Sequence, residues 1–445
     1  MGESSVRLPA RDVPVLREVD VLVAGGGSAG VAAAVSAART GASVLLVERN
    51  GFLGGTMTAT SLGGICGLYS LVDGAPVQMV FGFAEEVRAR LAAAGGTRGP
   101  LPWLNTASLP YDLFTLKSVL DDLVEVPGLG VLYQARLTDV LRDGGRVTHA
   151  IVRGREAPFA VAARVFVDAS GDGELAALAG AEAEIERGHL QFPSTMFRMG
   201  SVDTARAMGV TREEMHALLE RAVADGHDLP RTAGGIYSAR DGIVHLNITK
   251  VKVDGRSPDP FDPESLSRAE REGRAQARRY LEVFRRYVPG YADAFILDTG
   301  TELGVRETRR IVGDRTVTAE DVLGERKVED AIAASCWPIE EHGAGRATRW
   351  VWMSPGGYCQ IPYGALVPRG LDNVLVAGRC LSATHEAQAA LRVTANCFSM
   401  GQAAGLAAVL AGGRTVRDVS MPALQQALAA AGAVLAPRPE ATIDA

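Results

Sequence analysis

The string Gly25-Gly-Gly-Ser-Ala-Gly30 constrains this chain more than any other feature. It follows the β-branched run Val19-Asp-Val-Leu-Val-Ala24 and opens a small-residue segment, Val31–Arg39, that stops at Gly41. That order reads as strand, tight turn, helix. A second apolar run, Ala42-Ser-Val-Leu-Leu-Val47, ends at Glu48, so that about 30 residues make one βαβ unit. Both runs are nearly continuous in apolar residues, as strands covered on both faces must be. Gly25 permits the tight turn, Gly27 lets a ligand approach the backbone, and Gly30 lets the helix lie against the strand. The first amides of that helix point at the ligand and carry about half a positive charge. Glu48 follows where a carboxylate accepts the hydroxyls of a ribose, so these residues suit a dinucleotide better than an unliganded glycine turn.

Further along, Met79, Phe83, Val87 and Leu91 predict a helix between Pro76 and Gly95, and Leu113, Leu116, Leu120 and Leu123 predict another. From Gly130 to Val167 the pattern changes to strands, with a hairpin turn at Asp143-Gly-Gly145 and a strand Arg164–Asp168 entering Ala-Ser-Gly-Asp-Gly173. Composition shifts near Gly188, and residues 189–356 read as a separate α+β module. In it Thr211-x-x-Glu214 is a capping box and Asp262-Pro263 opens a long helix with a solvated, arginine-rich face. Asn373–Gly378 is again a buried strand ending in glycine, and Thr394–Leu410 an Ala/Gly-rich helix. The expected organisation is a first domain, 1–188, including a helical segment at 76–129; a substrate module, 189–356; and a return to the first domain, 357–445.

The 52 acidic and 46 basic side chains leave a net charge of −6, which excludes partners bound through phosphate neutralisation, nucleic acids and anionic membranes alike. The most apolar stretches, Gly30–Ala38 and Ala403–Leu410, fall short of the ~18 residues that span a bilayer. Met1–Leu16 lacks the apolar core of a secretory signal. Cys66, Cys336, Cys359, Cys380 and Cys397 form no C-x-x-C pair, so neither a disulfide framework nor a metal site is expected, and a cytoplasmic location is.

Past Glu48 the chain runs through Arg49-Asn-Gly-Phe-Leu into a double glycine, Gly54-Gly55, whose backbone can approach a flat ring. Here the sequence resembles the FAD-dependent oxidoreductases of the glutathione-reductase-type fold, in particular the small-molecule flavin oxidoreductases with Gly-Gly after the ribose acid. The resemblance recurs at Val167–Gly173, at Gly304–Gly313, and at Asn373–Arg379 with Ser382–Ala387, Leu391–Val393 and Gly401–Gly405. It implies an α/β fold: a glutathione-reductase-type FAD-binding three-layer domain with an inserted α+β substrate domain. It also implies the FAD contacts. Gly25, Gly27, Ser28, Ala29 and Gly30 hold the pyrophosphate and Glu48 the ribose. Arg49, Gly54, Gly55 and Thr56 lie along the ribityl chain and ring. Gly171 and Asp172 lie near the nucleotide, and Gly378 and Arg379 near the pyrophosphate and ribityl. The helix beginning around Thr394–Asn396, just after Val393, points its N-terminus at the pyrimidine edge, where it stabilises the negative charge of reduced flavin by ~0.3–2 kcal/mol, and Arg392 either adds to this or is a plain surface or core-pairing arginine.

Absent motifs narrow the chemistry. Gly54–Cys66 holds one cysteine where disulfide reductases of this type place a pair. No second G-x-G-x-x-G follows a strand, so electrons are exchanged with a small-molecule substrate and with dioxygen or an external acceptor rather than through a built-in NAD(P)H domain. Gly171–Ala176 lacks the Ser and Arg that continue this motif in aromatic hydroxylases. The expected reaction is hydride transfer between a small organic substrate and flavin N5. An FAD-dependent monooxygenase, an NAD(P)H-driven reductase and a flavin-holding electron-transfer subunit are the alternatives. Candidates for the reacting side are Cys66, either beside the ring or an inert buried thiol, and Arg306, which suits an anionic substrate group, the flavin or a structural ion pair equally. With them stand Glu340 and His342, an acid and a histidine two apart, and His385 after the last flavin strand.

Overall fold

The computed structural model describes residue 6 and residues 9–438; the expectation for Met1–Leu16 lies partly outside them. A seven-stranded sheet forms the centre of a mixed α/β fold. Five strands run parallel: Leu129–Leu132, Val44–Val47, Val15–Ala24, Pro158–Asp168 and Val374–Val376, each beside the next. The first half of Pro158–Asp168 also pairs antiparallel with Arg146–Arg153, which closes the predicted hairpin with Arg136–Asp143.

The continuous apolar runs follow from this burial. Val21, Val23, Val44, Leu46, Val165 and Val167 enter one core, whereas Leu22, Ala24, Leu45, Val47 and Phe166 enter a second core on the opposite face. The first core takes the helices Ser28–Arg39 and Thr394–Ala411; the second takes the hairpin and the short helix Glu174–Leu178. Those two long helices cross through small residues. A Cβ at Gly401 would lie 2.0 Å from the Ala29 carbonyl oxygen, and one at Gly405 2.2 Å from that of Ala33. Because the five strands are parallel, the loops after Ala24, Val47, Asp168 and Val376 leave from one edge of the sheet, where ligands of open α/β sheets bind.

Between the strands Pro158–Asp168 and Val374–Val376 the chain builds a four-stranded antiparallel sheet in the order Gly235–Arg240, Gly242–Asn247, Phe197–Val202, Phe295–Thr299. Its apolar face is covered by the helices Arg212–Ala224 and Pro263–Tyr287, whose Leu219, Tyr280 and Phe284 share one core with it. The Thr211–Glu214 capping box and the Asp262 cap both form. Arg268, Arg271, Arg274, Arg278, Arg285 and Arg286 of the long helix are exposed.

Three expectations need correction. The first strand begins at Val15 rather than Val19. Residues 76–95 are not one helix: Ala75–Gln78 pairs with Tyr69–Val72, the Met79 amide donates to the Leu68 carbonyl, and the helix Phe83–Ala93 starts only after Gly82 turns the chain at φ 68°. A second antiparallel sheet, Ala75–Gln78, Gly64–Val72, Thr106–Pro110 and Leu101–Trp103, thus fills part of the supposed helical segment. Finally, the alternation of Arg306, Glu307 and Arg309 predicts a strand, but Arg306–Arg309 pairs with no other strand, and only Arg310–Ile311 joins a ladder, with Ala183–Glu184. Among the described residues no single helix is long and apolar enough to cross a membrane.

Candidate active site

At the carboxyl edge of the parallel strands, the glycines divide into those packing requires and one it does not. Gly25 turns at φ +97°, and a Cβ there would meet the Ala169 carbonyl oxygen at 2.6 Å. A Cβ at Gly30 would lie 1.7 Å from the Gly25 carbonyl oxygen. Gly27 has only the Gly55 Cα nearby, at 3.8 Å, so its side faces open space. The double glycine lies along this turn: the Gly54 amide donates to the Gly26 carbonyl at 2.8 Å, and Gly55 turns at φ +50°. Gly378, at φ +90°, approaches the same helix start, with its Cβ position 3.2 Å from that of Ala29. Arg379 donates to the Asp172 carboxylate at 2.6 Å and to the Gly171 carbonyl at 2.9 Å. Segments far apart in sequence therefore meet at one edge.

Glu48 is buried there. One carboxylate oxygen accepts from the Gly26 amide and the other from the Asn50 amide, each at 2.7 Å. Burial pushes its pKa up, while those amides and Arg49 pull it down. The Arg49 guanidinium itself pairs with Glu302, and Thr56 is exposed at the start of the short helix Thr56–Ala59.

Helix caps test the fit of a dinucleotide. The long helices starting at Leu113, Arg212, Pro263 and Met421 are each capped by a side chain, and the Phe83 amide is met by Gln402. Ser28–Arg39 and Thr394–Ala411 have no side-chain cap, so Ser28, Ala29 and Gly30 at one helix and Thr394 and Ala395 at the other begin with amides that no side chain engages. Open donors at these two starts, with the bare backbone of Gly27 between strand and helix, are what a pyrophosphate and an anionic ring edge require. Asn396 enters differently than expected. Its side chain is fully buried, its amide nitrogen donates to Ser335 Oγ at 2.8 Å, and its Oδ1 has no partner, so any ligand contact falls to its backbone.

A second cluster lies beside the Arg392–Asn396 helix start. The strand Ile339–Glu341 alternates, sending Glu340 to one side and Glu341 to the other. Glu340 Oε1 is 3.0 Å from His342 Nε2, and its Oε2 accepts from Trp337 Nε1 at 3.2 Å. His342 Nδ1 stands 3.3 Å from Thr348 Oγ1. Burial, then Arg306, Arg231, Arg392 and Lys250 in that order, hold His342 well below the usual imidazole range, so it is neutral. Arg306 donates to the Phe192 carbonyl at 2.7 Å, Ser194 Oγ at 3.0 Å and Asn247 Oδ1 at 3.3 Å. Cys66 borders this cluster with Sγ 3.5 Å from Ser108 Oγ, and burial pushes its thiol up to about 12, which removes thiolate chemistry from its candidate roles.

His385 stands apart from this group. Its Nδ1 is 2.9 Å from Glu307, which also binds Arg310, and Glu307 raises its pKa. Arg306 and Glu307 engage different partners, Phe192, Ser194 and Asn247 for the first and Arg310 and His385 for the second, so His385 belongs to the Glu307 ion-pair network. Arg231, Lys250 and Thr348 were missed by sequence reasoning, since each comes from a loop or strand end of the inserted segment without a motif. The one available hint was that Lys250 and Lys252 are two of the chain's four lysines.

Comparison with solved structures finds weak similarity over most of the chain. A geranylgeranyl bacteriochlorophyll reductase-like protein from Thermoplasma acidophilum is 15% identical over 93% of this chain and 83% of its own, with a TM-score of 0.44. The p-nitrophenol 4-monooxygenase of Pseudomonas putida is 12% identical over 93% and 84%, at 0.45, and a flavin-dependent brominase 15% identical over 92% and 83%, at 0.43. The sequence profile of the FAD dependent oxidoreductase family matches residues 20–428, spanning the glycine turn, Glu48 and the uncapped Thr394 helix alike. The chain belongs to that family and is an FAD-dependent oxidoreductase.

Proposed function

We propose that the enzyme moves a hydride between a small organic substrate and flavin N5, with His342 as the proton-handling group. The flavin supplies the two-electron acceptor when bound. The observation that carries this reading is the buried, neutral His342 locked to Glu340 beside the uncapped helix start. Glu340 accepts from His342 Nε2–H, which leaves the lone pair on Nδ1, the atom toward the Thr348 hydroxyl. A hydroxyl or amine proton of the substrate is taken there, directly or through Thr348, and Glu340 steadies the imidazolium that results.

In this reading the domain is of the glutathione-reductase type, three layers thick, with residues near 189–356 as the substrate domain. The cofactor lies across the carboxyl edge: pyrophosphate on Gly25, Gly27, Ser28, Ala29 and Gly30, ribose on Glu48, and ribityl and ring along Arg49, Gly54, Gly55 and Thr56. Gly171, Asp172, Gly378 and Arg379 close the nucleotide side, and Arg392, Val393 and the Asn396 amide border the pyrimidine edge. An anaerobic substrate screen for flavin bleaching tests the assignment. His342→Gln should keep its FAD and lose most of the bleaching rate. A variant reducing its flavin at the wild-type rate would remove His342 from the reaction.

A further inference from the structure

Three arginines and a lysine surround the Glu340–His342 pair, with Glu340 as the carboxylate among them; burial and then Arg231 pull Lys250 down to about 7, so the arginines carry most of the positive charge. Arg231 and Arg306 are each 6% exposed and Lys250 2%. Among the described residues none of Arg231, Lys250, Arg306 and Arg392 forms an ion pair with a carboxylate. Their partners are uncharged oxygens: Phe192, Ser194 and Asn247 for Arg306, the Gly343 and Gly345 carbonyls for Lys250, Thr348 Oγ1 for Arg231 and Gln191 Oε1 for Arg392. The Nε of Arg392 is enclosed with no partner. Glu340, the carboxylate that Arg231, Arg306 and Arg392 all feel, spends its hydrogen bonds on His342 and Trp337 and is a single negative charge against three arginines.

Arginine stays protonated in proteins, and a buried charge without a counter-charge is strongly unfavourable. The same protein provides an internal control. Arg310, equally buried, is met by Glu307, Glu184 and Glu186. Where the fold needs a buried arginine for structure, it supplies carboxylates. Three of the four unmatched cations come from the inserted segment, away from the glycine turn that receives the pyrophosphate.

We infer that the missing counter-charge is the substrate's own carboxylate, seated on Arg231, Arg306, Arg392 and Lys250, and that the enzyme acts on small organic acids. This rests on the reading of Glu340 and His342 as the reacting side. Guanidinium forks match a planar carboxylate in two-point contact. The arrangement also couples recognition to chemistry: burial first and the surrounding cations second hold down the basicity of His342, and a bound anion offsets the second of these, making the base stronger when the acid is in place.

The test uses FAD-replete enzyme at constant ionic strength, titrated with acetate, malonate and benzoate and with acetamide, malonamide and benzamide as neutral isosteres. The readouts are the visible flavin band and tryptophan fluorescence, since Trp337 touches Glu340 and packs against Trp350, which in turn packs against Trp103 and Trp352. At least one carboxylate should give a saturable change and no amide should. Arg231→Met, which removes one side-chain hydrogen bond and a buried charge, should keep its flavin, melt no lower than wild type, and bind that carboxylate at least tenfold more weakly. If it loses flavin, Lys250→Met carries the same expectation for affinity. Carboxylates that leave both signals unmoved, amides that match them, or a methionine variant that binds as wild type would overturn the proposal. A wild-type protein that cannot hold FAD would instead count against the flavin site itself.

Discussion

Alanine at Gly27 and at Gly30 should have opposite effects on the protein and a shared effect on its cofactor. At Gly30 the new Cβ would start 1.7 Å from the Gly25 carbonyl oxygen, against a floor of 3.0 Å for real Cβ contacts, so backbone must separate by roughly 1.3 Å. Overpacking commonly costs ~1–3 kcal/mol, and with backbone as the obstacle the upper end, about 3 kcal/mol, is expected. At Gly27, φ −71° and ψ −173° suit alanine, and the nearest atom is 3.8 Å away. There the substitution should stabilise flavin-free protein by ~0.4–1 kcal/mol, through a less flexible unfolded chain. Its methyl group, however, would stand where the proposed site has the pyrophosphate approach, so FAD affinity should fall at least about tenfold, or ~1.4 kcal/mol. Urea unfolding of flavin-free protein and titration with FAD separate the two effects. A Gly27→Ala protein that binds FAD as tightly as wild type would refute the placement of the pyrophosphate, and an unimpaired Gly30→Ala would refute the close helix–strand contact.

Three further outcomes follow from named contacts. Glu48→Ala should weaken FAD binding about 10- to 150-fold and also destabilise the fold by ~1–3 kcal/mol, because the buried Gly26 amide and the half-buried Asn50 amide lose their acceptor; Glu48→Gln, keeping one oxygen, should be milder in urea unfolding. His342→Gln should lower the rate of anaerobic flavin reduction by substrate by about 10²–10⁴ with flavin content unchanged. His245, held at about 4 mainly by burial and then by Arg198, stays neutral in the fold while its unfolded counterpart takes up a proton near pH 6.5. Stability should therefore drop as pH falls, by up to about 2 kcal/mol between pH 6.5 and 5, and urea midpoints of His245→Asn should show less of this slope.

The sheet edge proposed for the cofactor was legible because its requirements are local. A glycine turn, a strand-ending acid and a return strand each leave a short signature in the chain, and Gly25, Gly30, Glu48 and Gly378 meet at the edge those signatures predict. Residues 76–95 misled because Met79, Phe83, Val87 and Leu91 satisfy helical spacing, although Met79 is held by a strand partner, Leu68, that only the fold brings near. The cluster proposed as the reacting side was half legible. Glu340 and His342 are neighbours in sequence, whereas Arg231 and Lys250 reach them from separate loops of the inserted segment, a convergence that no spacing encodes. His385 was drawn in by its position after the last flavin strand, yet Glu307 claims it for an ion-pair network.

Anaerobic stopped-flow mixing compares NADH and NADPH with small organic acids as reductants of the bound flavin. In the proposed arrangement FAD takes the single glycine turn, which leaves no second such turn to orient a nicotinamide against the ring, and orientation supplies ~7–11 kcal/mol of such a barrier. Reduction by NADH or NADPH should be slow and should not saturate, while an acid substrate should bleach the flavin fast and with saturation. Saturable reduction by NADH or NADPH at a rate on the order of 10 s⁻¹, the median turnover of enzymes, would contradict the account and point to a reductase or monooxygenase instead.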